Sequence, residues 1–312
     1  MRTMALGVPM AVVDVDEALA GAWRPHRFDV DVVRVQDPPV DWWPDLVAAG
    51  FFPKPQVLTW RAASAASEEE FIARLSGKDR QNLRTARRRT VESGLSVKVE
   101  QVDSALLDAF LPLYEAGIAR MAHGLAIASQ NRDMLLAEAD DYFAVCIRDG
   151  DDLVGASLNQ QSRTRDEVRA RFSTTVPDQR QASLAKVLYL EVVEVARQRG
   201  FAWVSLGSDP NLYGHLAKPG LFGFKNRLGF SAIPSHLVDP GSGSDQADRI
   251  VGLSALTDPS FVLSYALDAN GTPHRGERLR LELFTTDPTV DQRPYRADYL
   301  DGVTVHRVAR RP

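Results

Sequence analysis

A cluster of arginines is the first group of residues in this sequence whose types and spacing suggest chemistry. Arg80, Arg84, Arg87 and Arg88 stand at positions i, i+4, i+7 and i+8, which is the spacing of one helix face. Such a stripe is suited to the phosphates of RNA or of a nucleotide-linked molecule. The alternative is an ordinary solvated helix face, and the sequence leaves both interpretations open. Because the net charge of the chain is -4, any phosphate-binding surface would be local.

The remaining composition excludes several classes of protein. Cys146 is the single cysteine of the 312 residues, so we expect no disulfide framework and a reducing, cytoplasmic setting. The six histidines are scattered and no HExxH occurs, so no metal site is predicted. We expect no signal peptide, no membrane-inserted helix and no DNA partner. Cys146 lies in an alternating apolar segment and is interpreted as a core residue.

Helices are predicted on both sides of the arginine cluster. The segment from Ala65 to Ser93 is expected to form two helices interrupted at Gly77, the first beginning at Ser67 with Glu70 in the capping-box position. Asp103 is the expected N-cap of a further helix that runs to about residue 121. These helices would hold the arginines on one exposed face.

A regular alternation of strands and helices follows from residue 141 to residue 238. DYFAVCIR and LVGASLNQQS predict a β-hairpin, and EVRARFSTTV predicts a third strand. SLAKVLYLEVVEVARQRG has the spacing of an amphipathic helix, and FAWVSLG directly after it predicts a buried strand. A strand–helix–strand unit implies a parallel pair with a right-handed crossover. Residues 208–230 are interpreted as a glycine-rich loop, followed by a strand at FSAIPSHLV.

This order of elements resembles the core of the GNAT superfamily of acyltransferases, and the local sequence is similar to its Fem-type branch. The resemblance covers roughly residues 65–238. Four segments carry it: RQNLRTARRR at 80–89, SLAKVLYLEVVEVARQRGFAWVSLGSDP at 183–210, the acidic turn Ser208-Asp209-Pro210 within it, and FGFKNRLGF at 222–230.

The resemblance implies an α/β (α+β) fold of the GNAT type, with a mixed central sheet and flanking helices. We expect the core at residues 65–240, with the basic helix at 78–93. Residues 1–64 are expected to be irregular with short strands, and with residues 65–140 they are compatible with a degraded first GNAT-like unit. The stretch 241–249 is interpreted as a linker, and residues 250–312 as an accessory C-terminal β segment with three strands.

In CoA-dependent members of the family, the loop before the central helix binds the pyrophosphate of the cofactor. Here that loop reads Arg180-Gln181-Ala182-Ser183-Leu184-Ala185. Arg180 and Ala185 fit the family pattern, whereas Ser183 stands where glycine is expected. Only glycine allows close backbone approach at positive φ without strain, so this departure counts against ordinary acetyl-CoA binding. Ser183 can equally be the N-cap of the helix.

Fem-type members take the acyl group from aminoacyl-tRNA, and a Phe-Lys pair contacts the acceptor end of the RNA. Phe224 and Lys225 match that pair in this sequence. By resemblance, Phe224 would stack on a base and Lys225 would stabilise negative charge at the reaction centre. A core phenylalanine beside a solvated lysine is the alternative.

Two further residues are assigned roles through the resemblance. Tyr213 follows the fifth core strand, where many CoA-dependent members have a tyrosine that protonates the leaving thiolate, so Tyr213 is a candidate general acid. Asp209 is a candidate for orienting the acceptor amine or accepting its proton. Simple packing of Tyr213, and a role for Asp209 in capping a helix or holding the loop, remain open.

Three functions are therefore weighed. The first is an aminoacyltransferase that moves an amino acid from aminoacyl-tRNA to an amine of a small acceptor, such as a cell-wall precursor or a natural-product intermediate. The second is an acyl-CoA-dependent N-acetyl- or N-acyltransferase. The third is a non-catalytic GNAT-like binding module for RNA or a partner. We expect direct attack by the amine, with backbone groups near residues 170–176 and Lys225 supporting the oxyanion. The donor would be a co-substrate, no cofactor is expected to be tightly bound, and an oligomer is compatible with the sequence.

Overall fold

The computed structural model describes residues 2–5, 7–176 and 181–309, with the side chains of residues 7–176 and 184–309. The chain is a mixed α/β protein, as predicted. It forms two compact units. Unit 1 comprises Met1–Thr59, Ser208–Asn226 and Ser231–Pro312, and unit 2 comprises Trp60–Gly207 and Arg227–Phe230.

The first half of the chain forms mainly short strands and helices. In chain order it consists of β1 (Arg2–Ala5), β2 (Val8–Val13), α1 (Val15–Ala20), β3 (Val32–Gln36), α2 (Trp43–Ala48), β4 (Phe52–Pro55), β5 (Val57–Ala63), α3 (Glu68–Ala73), α4 (Gly77–Glu92), β6 (Ser96–Glu100), α5 (Ser104–Ile118), α6 (Ile127–Gln130), α7 (Arg132–Ala137) and β7 (Tyr142–Asp149).

The second half begins within the longest hairpin and ends in strands. It consists of β8 (Asp152–Ser162), β9 (Glu167–Thr175), α8 (Gln181–Gln198), β10 (Trp203–Pro210), α9 (Pro219–Arg227), β11 (Ser231–Pro234), β12 (Asp245–Ile250), β13 (Ser260–Leu267), β14 (Pro273–Thr285) and β15 (Leu300–Arg307).

Unit 1 contains a five-stranded sheet of order β1-β2-β3-β12-β4. β2 and β3 are parallel, whereas β12 is antiparallel to both β3 and β4. Helices α1 and α2 contribute to the apolar core of this sheet, which includes Val33, Val35, Trp43 and Leu46. Residues 260–307 form a separate three-stranded sheet of order β13-β14-β15, whose Val262 and Phe284 pack in a second core cluster with Met10 and Val32.

Unit 2 is organised around the strand order β5-β10-β9-β8-β7-β6. β6, β7, β8 and β9 are antiparallel neighbours, and β10 joins β9 in parallel across the connection through α8. Helix α5 places Leu107, Phe110 and Tyr114 against Cys146 and Phe172 of the sheet. The predicted hairpin, the strand–helix–strand unit and the core position of Cys146 are all confirmed.

The two parallel strands of unit 2 are paired over a short distance only. The register joins Trp203 to Glu167, Val204 to Val168 and Ser205 to Arg169. Both strands continue beyond this segment, β9 to Thr175 and β10 to Pro210. The pairing of β9 with β8 shifts between Leu158 and Asn159, which is the signature of a β-bulge. The backbone of β9 past Arg169 therefore lies outside the parallel register, as expected of a splayed pair.

Helix beginnings follow the predicted caps. Ser67 accepts a hydrogen bond from the backbone N–H of Glu70 at 3.1 Å, and Asp103 accepts one from Leu106 at 2.7 Å. Ser76 caps α4 in the same way, so the interruption at Gly77 is the start of a new helix. Because each cap satisfies an N–H group that has no partner inside the helix, these side chains fix where the helices begin.

Two segments differ from the sequence-based expectation. Residues 219–227, interpreted as part of a glycine-rich loop, form α9, because Phe222 and Lys225 face inward three residues apart and the helix satisfies the backbone around Gly220 and Gly223. The stretch 241–249, interpreted as a linker, contains all but the last residue of β12. β12 is buried between β3 and β4, and its side chains alternate too little in polarity for the strand to be recognised.

Candidate active site

Three of the predicted site residues meet in unit 1. The ammonium nitrogen of Lys225 donates to Oδ1 of Asp209 at 2.8 Å, and the hydroxyl of Tyr213 donates to Oδ2 of the same carboxylate at 3.2 Å. Lys225 and Asp209 are each 7% exposed, and Tyr213 is fully buried. We call these three residues the Asp209 cluster. The carboxylate holds both partners in place, and the predicted roles of Asp209, orienting the acceptor amine or accepting its proton, stay predictions.

The cluster is positioned by the end of β10 and by the segment that follows it. Asp209 is the penultimate residue of β10, and Asn211 anchors the turn because its side-chain amide donates to the carbonyl oxygens of Pro55 and Leu263 at 2.8 and 2.7 Å. Tyr213 then exchanges two backbone hydrogen bonds with Phe261 at the start of β13. Lys225 reaches the carboxylate from α9.

Gly214 is required at its position by both conformation and space. Its φ is 139°, a region that favours glycine, and an added Cβ would lie 1.9 Å from Oγ of Ser260. The close approach lets Tyr213 stack on Phe261, with ring centroids 4.6 Å apart and planes 11° apart. Phe222 packs edge-on against both rings, with centroids 5.8 Å from Tyr213 and 5.1 Å from Phe261. These contacts fix the position of the Tyr213 ring, so that its hydroxyl donates to Asp209.

Phe224 lies next to Lys225 on α9 but differs from it in burial. Lys225 is buried, whereas Phe224 is half-buried. The two residues of the Phe-Lys pair therefore differ in exposure, and the lysine is bound to Asp209. The stacking role predicted for Phe224 stays a prediction.

The residues predicted to bind the donor belong to unit 2. Ala185 lines a cavity of about 420 Å³ formed by α5, the end of β9 and the first turns of α8. Its walls include Tyr114, Gly117 and Thr175, and the hydroxyls of Ser173 and Tyr189 are hydrogen-bonded at 2.5 Å. Arg180 lies outside the described residues, as does the side chain of Ser183, whose backbone is part of α8. Their predicted roles in donor binding remain predictions.

The four arginines lie on α4, where Arg84 and Arg88 are exposed and Arg80 and Arg87 are half-buried beside the buried face of the helix. Arg87 forms an ion pair with Glu68 of α3, and Arg88 pairs with Glu92 at 3.5 Å. Arg80 donates to the carbonyl oxygen of Ala73 at 3.1 Å. Arg84 is exposed. The predicted helix face is therefore present, but neighbouring glutamates partly neutralise two of its four cations.

A buried charged group in unit 1 was not recognised from the sequence. Arg34 donates to both oxygens of Asp248 at 2.7 Å, and Lys54 lies 3.3 Å from the same carboxylate. Burial, opposed by the attraction of Asp248, lowers the pKa of Lys54 to about 8. The Asp248 carboxyl is itself desolvated, but the two cations beside it hold its pKa below the ordinary value. The only sequence signal was the presence of charged residues in alternating strands.

Cys146 and Glu167 are among the groups of unit 2 whose pKa values are shifted. Burial raises the pKa of the Cys146 thiol to about 12, which makes this cysteine a poor nucleophile at neutral pH. Burial also raises the pKa of Glu167, although Arg61 donates to this carboxylate at 3.0 Å. Within the described residues there is no group of three His, Cys, Asp or Glu side chains placed to hold a metal ion. The same part of the chain contains no helix long and apolar enough to span a membrane.

One part of the chain matches a known protein family. Residues 77–215 match the family model of the acetyltransferase (GNAT) domain. This match covers somewhat less than half of the chain, and it supports the conclusion that the protein is an acyltransferase. The matched span runs from the first residue of α4 through α8 and β10, and it includes Asp209 and Tyr213 but ends before Phe224 and Lys225.

Three of the solved structures to which the chain is similar have low sequence identity to it. The structure of FemX is 13% identical, with a TM-score of 0.46, over 78% of this chain and 80% of that one. L-PGS from Bacillus licheniformis is 14% identical, with a TM-score of 0.38, over 75% and 72%. A GCN5-related N-acetyltransferase from Sphaerobacter thermophilus is 13% identical, with a TM-score of 0.36, over 70% and 59%. No protein of curated function matches the sequence.

Proposed function

We propose that this protein forms an amide by moving an aminoacyl group from aminoacyl-tRNA to the amine of a small acceptor. The observation that carries the proposal is the Asp209 cluster, in which a buried carboxylate orients a lysine ammonium and a tyrosine hydroxyl at the end of β10. In an acyltransferase, two buried donors fixed by one carboxylate are suited to a reaction that develops negative charge on oxygen.

The reaction requires little covalent chemistry from the protein. The acceptor nitrogen attacks the ester carbonyl, the C–N bond forms and the C–O bond to the ribose breaks. The proton that the nitrogen loses replaces the one that the departing ribose oxygen takes up, so no net proton is gained or lost. Lys225 would stabilise the negative charge that develops on the carbonyl oxygen, since a compact ammonium is a strong donor to an oxyanion. Tyr213 would supply the proton to the departing ribose oxygen, and Asp209 would hold both groups in place. No covalent enzyme intermediate is needed.

Two surface features favour an RNA-linked donor. Phe224 is half-buried beside Lys225, and an aromatic side chain is suited to stacking on a base. On α4 the exposed guanidinium of Arg84 offers contact to phosphate, together with Arg80 one turn earlier. These features support aminoacyl-tRNA over a free aminoacyl ester.

A second candidate function is an acyl-CoA-dependent N-acyltransferase. The specific observation in its favour is the cavity of about 420 Å³ in unit 2, which lies where β9 leaves the parallel register and α8 begins. Its hydroxyl and aliphatic walls would accept an extended thioester arm, and helix α8 would direct its N-terminal N–H groups at a pyrophosphate.

A paired binding titration on the full chain separates the two donors. One arm adds total aminoacylated tRNA at low salt, and the other adds CoA or acetyl-CoA. Binding of tRNA that weakens steeply with salt supports the proposal, and saturable binding of CoA without a tRNA response supports the second candidate. If neither tRNA nor CoA binds, both candidate functions are contradicted, and a non-catalytic binding module is favoured.

Variants then connect binding to the Asp209 cluster. Phe224→Ala should weaken tRNA binding with little effect on folding, because the ring is only half-buried. Lys225→Met should abolish amide formation with tRNA still bound, since the ammonium acts on the reacting carbonyl. Lys218→Ala is the matched control, because Lys218 is exposed and directly precedes α9. Full turnover in Lys225→Met would refute the assignment of the site.

A further inference from the structure

A second cavity of the protein lies in unit 1, and no residue of the Asp209 cluster lines it. Its volume is about 240 Å³, and it is formed by β2, β3, β4 and β12 together with residues 210–216. At roughly 30 Å³ for each water-sized group, it has room for about eight such groups. This is the size of a small organic molecule.

The polar end of the cavity has an excess of positive charge. Arg34 and Lys54 both line this end of the cavity. Both form ion pairs with a single carboxylate, Asp248, which is fully buried. Lys54 also donates to Oε1 of Gln246 at 2.9 Å. None of the twelve described residues that line the cavity is an Asp or a Glu. With two cations and one anion, this buried group carries a net charge of about one positive unit at neutral pH.

A buried excess charge is costly unless an opposite charge compensates it. Lys54 is 1% exposed, so water compensates it poorly. The pKa of Lys54 is lowered for the same reason, because burial disfavours the charged ammonium form. An anion that enters the cavity would be held by a guanidinium and an ammonium at once.

The other ten lining residues are six apolar and four polar ones. The apolar residues are Val8, Met10, Val57, Pro210, Leu212 and Leu216, and the polar residues are Gln56, Asn211, His215 and Gln246. Half-buried residues such as Val57 and Leu216 leave a route from solvent. The site therefore combines one anion-binding end with an apolar body, which is the pattern of a pocket that recognises a small amphipathic acid.

We propose that this cavity binds the carboxylate of a small organic acid with an aliphatic body. The carboxylate bridges Arg34 and Lys54, and the aliphatic part packs between Met10, Val57 and Leu216. The site does not depend on the proposed acyl transfer, because its occupancy is measurable without any acyl donor.

The test is calorimetric titration of the purified full chain with three probes at neutral pH. Isocaproate matches the cavity in charge and shape, isocaproamide has the same shape without the charge, and inorganic phosphate has charge without the apolar body. We expect saturable binding of isocaproate, and binding of the other two weaker by about tenfold or more, the effect of losing a charged hydrogen bond or the apolar contact. Equal affinity for acid and amide, equal affinity for phosphate, or no binding of isocaproate would overturn the proposal.

Two variants locate the binding. Leu216→Trp fills the cavity from its half-buried wall without touching the charges, and it should lose isocaproate binding by about tenfold or more. Leu237→Trp is its control, since Leu237 is 42% exposed and lies outside the cavity. Lys54→Met should lose binding as well, because one of the two cations is removed. Unchanged binding in Leu216→Trp would show that the acid binds elsewhere.

Discussion

Replacement of Lys54 by methionine should make the protein more stable at neutral pH, although it removes a buried hydrogen-bonded charge. Methionine has a similar length and no charge, and the bidentate pair between Arg34 and Asp248 would remain balanced. Buried ion groups can be replaced by apolar side chains with a gain in stability when no unpaired charge is left behind.

The magnitude follows from the pKa of Lys54. This value is about 8 in the folded protein, against an ordinary value of 10.5, so holding the ammonium in place costs about 3 kcal/mol at 1.36 kcal/mol for each pKa unit. The substitution also leaves Oε1 of Gln246 without its lysine donor, which costs about 1 kcal/mol. We therefore expect Lys54→Met to raise the free energy of unfolding by about 2 kcal/mol at pH 7.

The pH dependence has a definite sign. Because the folded pKa is lower than the unfolded one, the unfolded chain binds more protons between about pH 8 and pH 10.5, and the wild-type protein gains stability as pH rises through this window. At pH 9.5, about 1.5 units above the folded pKa, the gain is about 2 kcal/mol. The advantage of Lys54→Met should then have almost vanished.

Urea unfolding at pH 7 and pH 9.5, followed by circular dichroism, measures both quantities. Lys218→Met is the control, because an exposed lysine should give a difference within about 0.5 kcal/mol that does not change with pH. The reasoning is refuted if Lys54→Met is less stable than wild type at pH 7, or if its difference from wild type is the same at both pH values.

Four other outcomes are expected. Tyr213→Phe should lower kcat by about a hundredfold if the hydroxyl is the general acid, with only about 1 kcal/mol lost in stability, and an unchanged kcat would leave Tyr213 a packing residue. Arg84→Ala should reduce the slope of log K against log salt for tRNA binding by about one, whereas Lys98→Ala, on exposed β6, should leave it unchanged, and equal slopes would remove α4 from the RNA surface. Gly214→Ala should destabilise unit 1 by about 3 kcal/mol or more, because its Cβ would overlap Ser260, while Gly94→Ala, with open space around it, should cost about 1 kcal/mol, and similar losses in thermal melts would contradict the steric argument. Cys146, fully buried with a pKa of about 12, should resist iodoacetamide at pH 8 until the protein is unfolded in urea, and rapid labelling of the folded chain would contradict its burial.

Local sequence signals were sufficient for most of unit 2. Caps at Ser67 and Asp103 and the apolar periodicity of α8 act within a few residues, so they can be recognised without tertiary information. The hairpin of β7 and β8 is equally local. The parallel pair of β9 and β10 followed from the general handedness of strand–helix–strand connections.

Long-range pairing explains what the sequence could not predict. β12 lies in a stretch that begins with glycine and serine, and its strand character comes from partners about two hundred residues away in β3 and β4. The ion pair between Arg34 and Asp248 spans 214 positions. By contrast, Asp209 and Lys225 are 16 residues apart. They were selected by resemblance, but nothing local indicated that they would bind each other.

The position of β12 between β3 and β4 has a consequence for synthesis of the chain. Residues 60–230 contain every part of unit 2, so this unit can fold while the ribosome is still adding the last strands. The five-stranded sheet of unit 1 cannot close until residues 245–250 emerge, and until then β3 and β4 each present an unsatisfied edge. The sheet that contains these early strands is thus completed late. Until β12 has been synthesised, the edges of β3 and β4 must be protected from pairing with other chains.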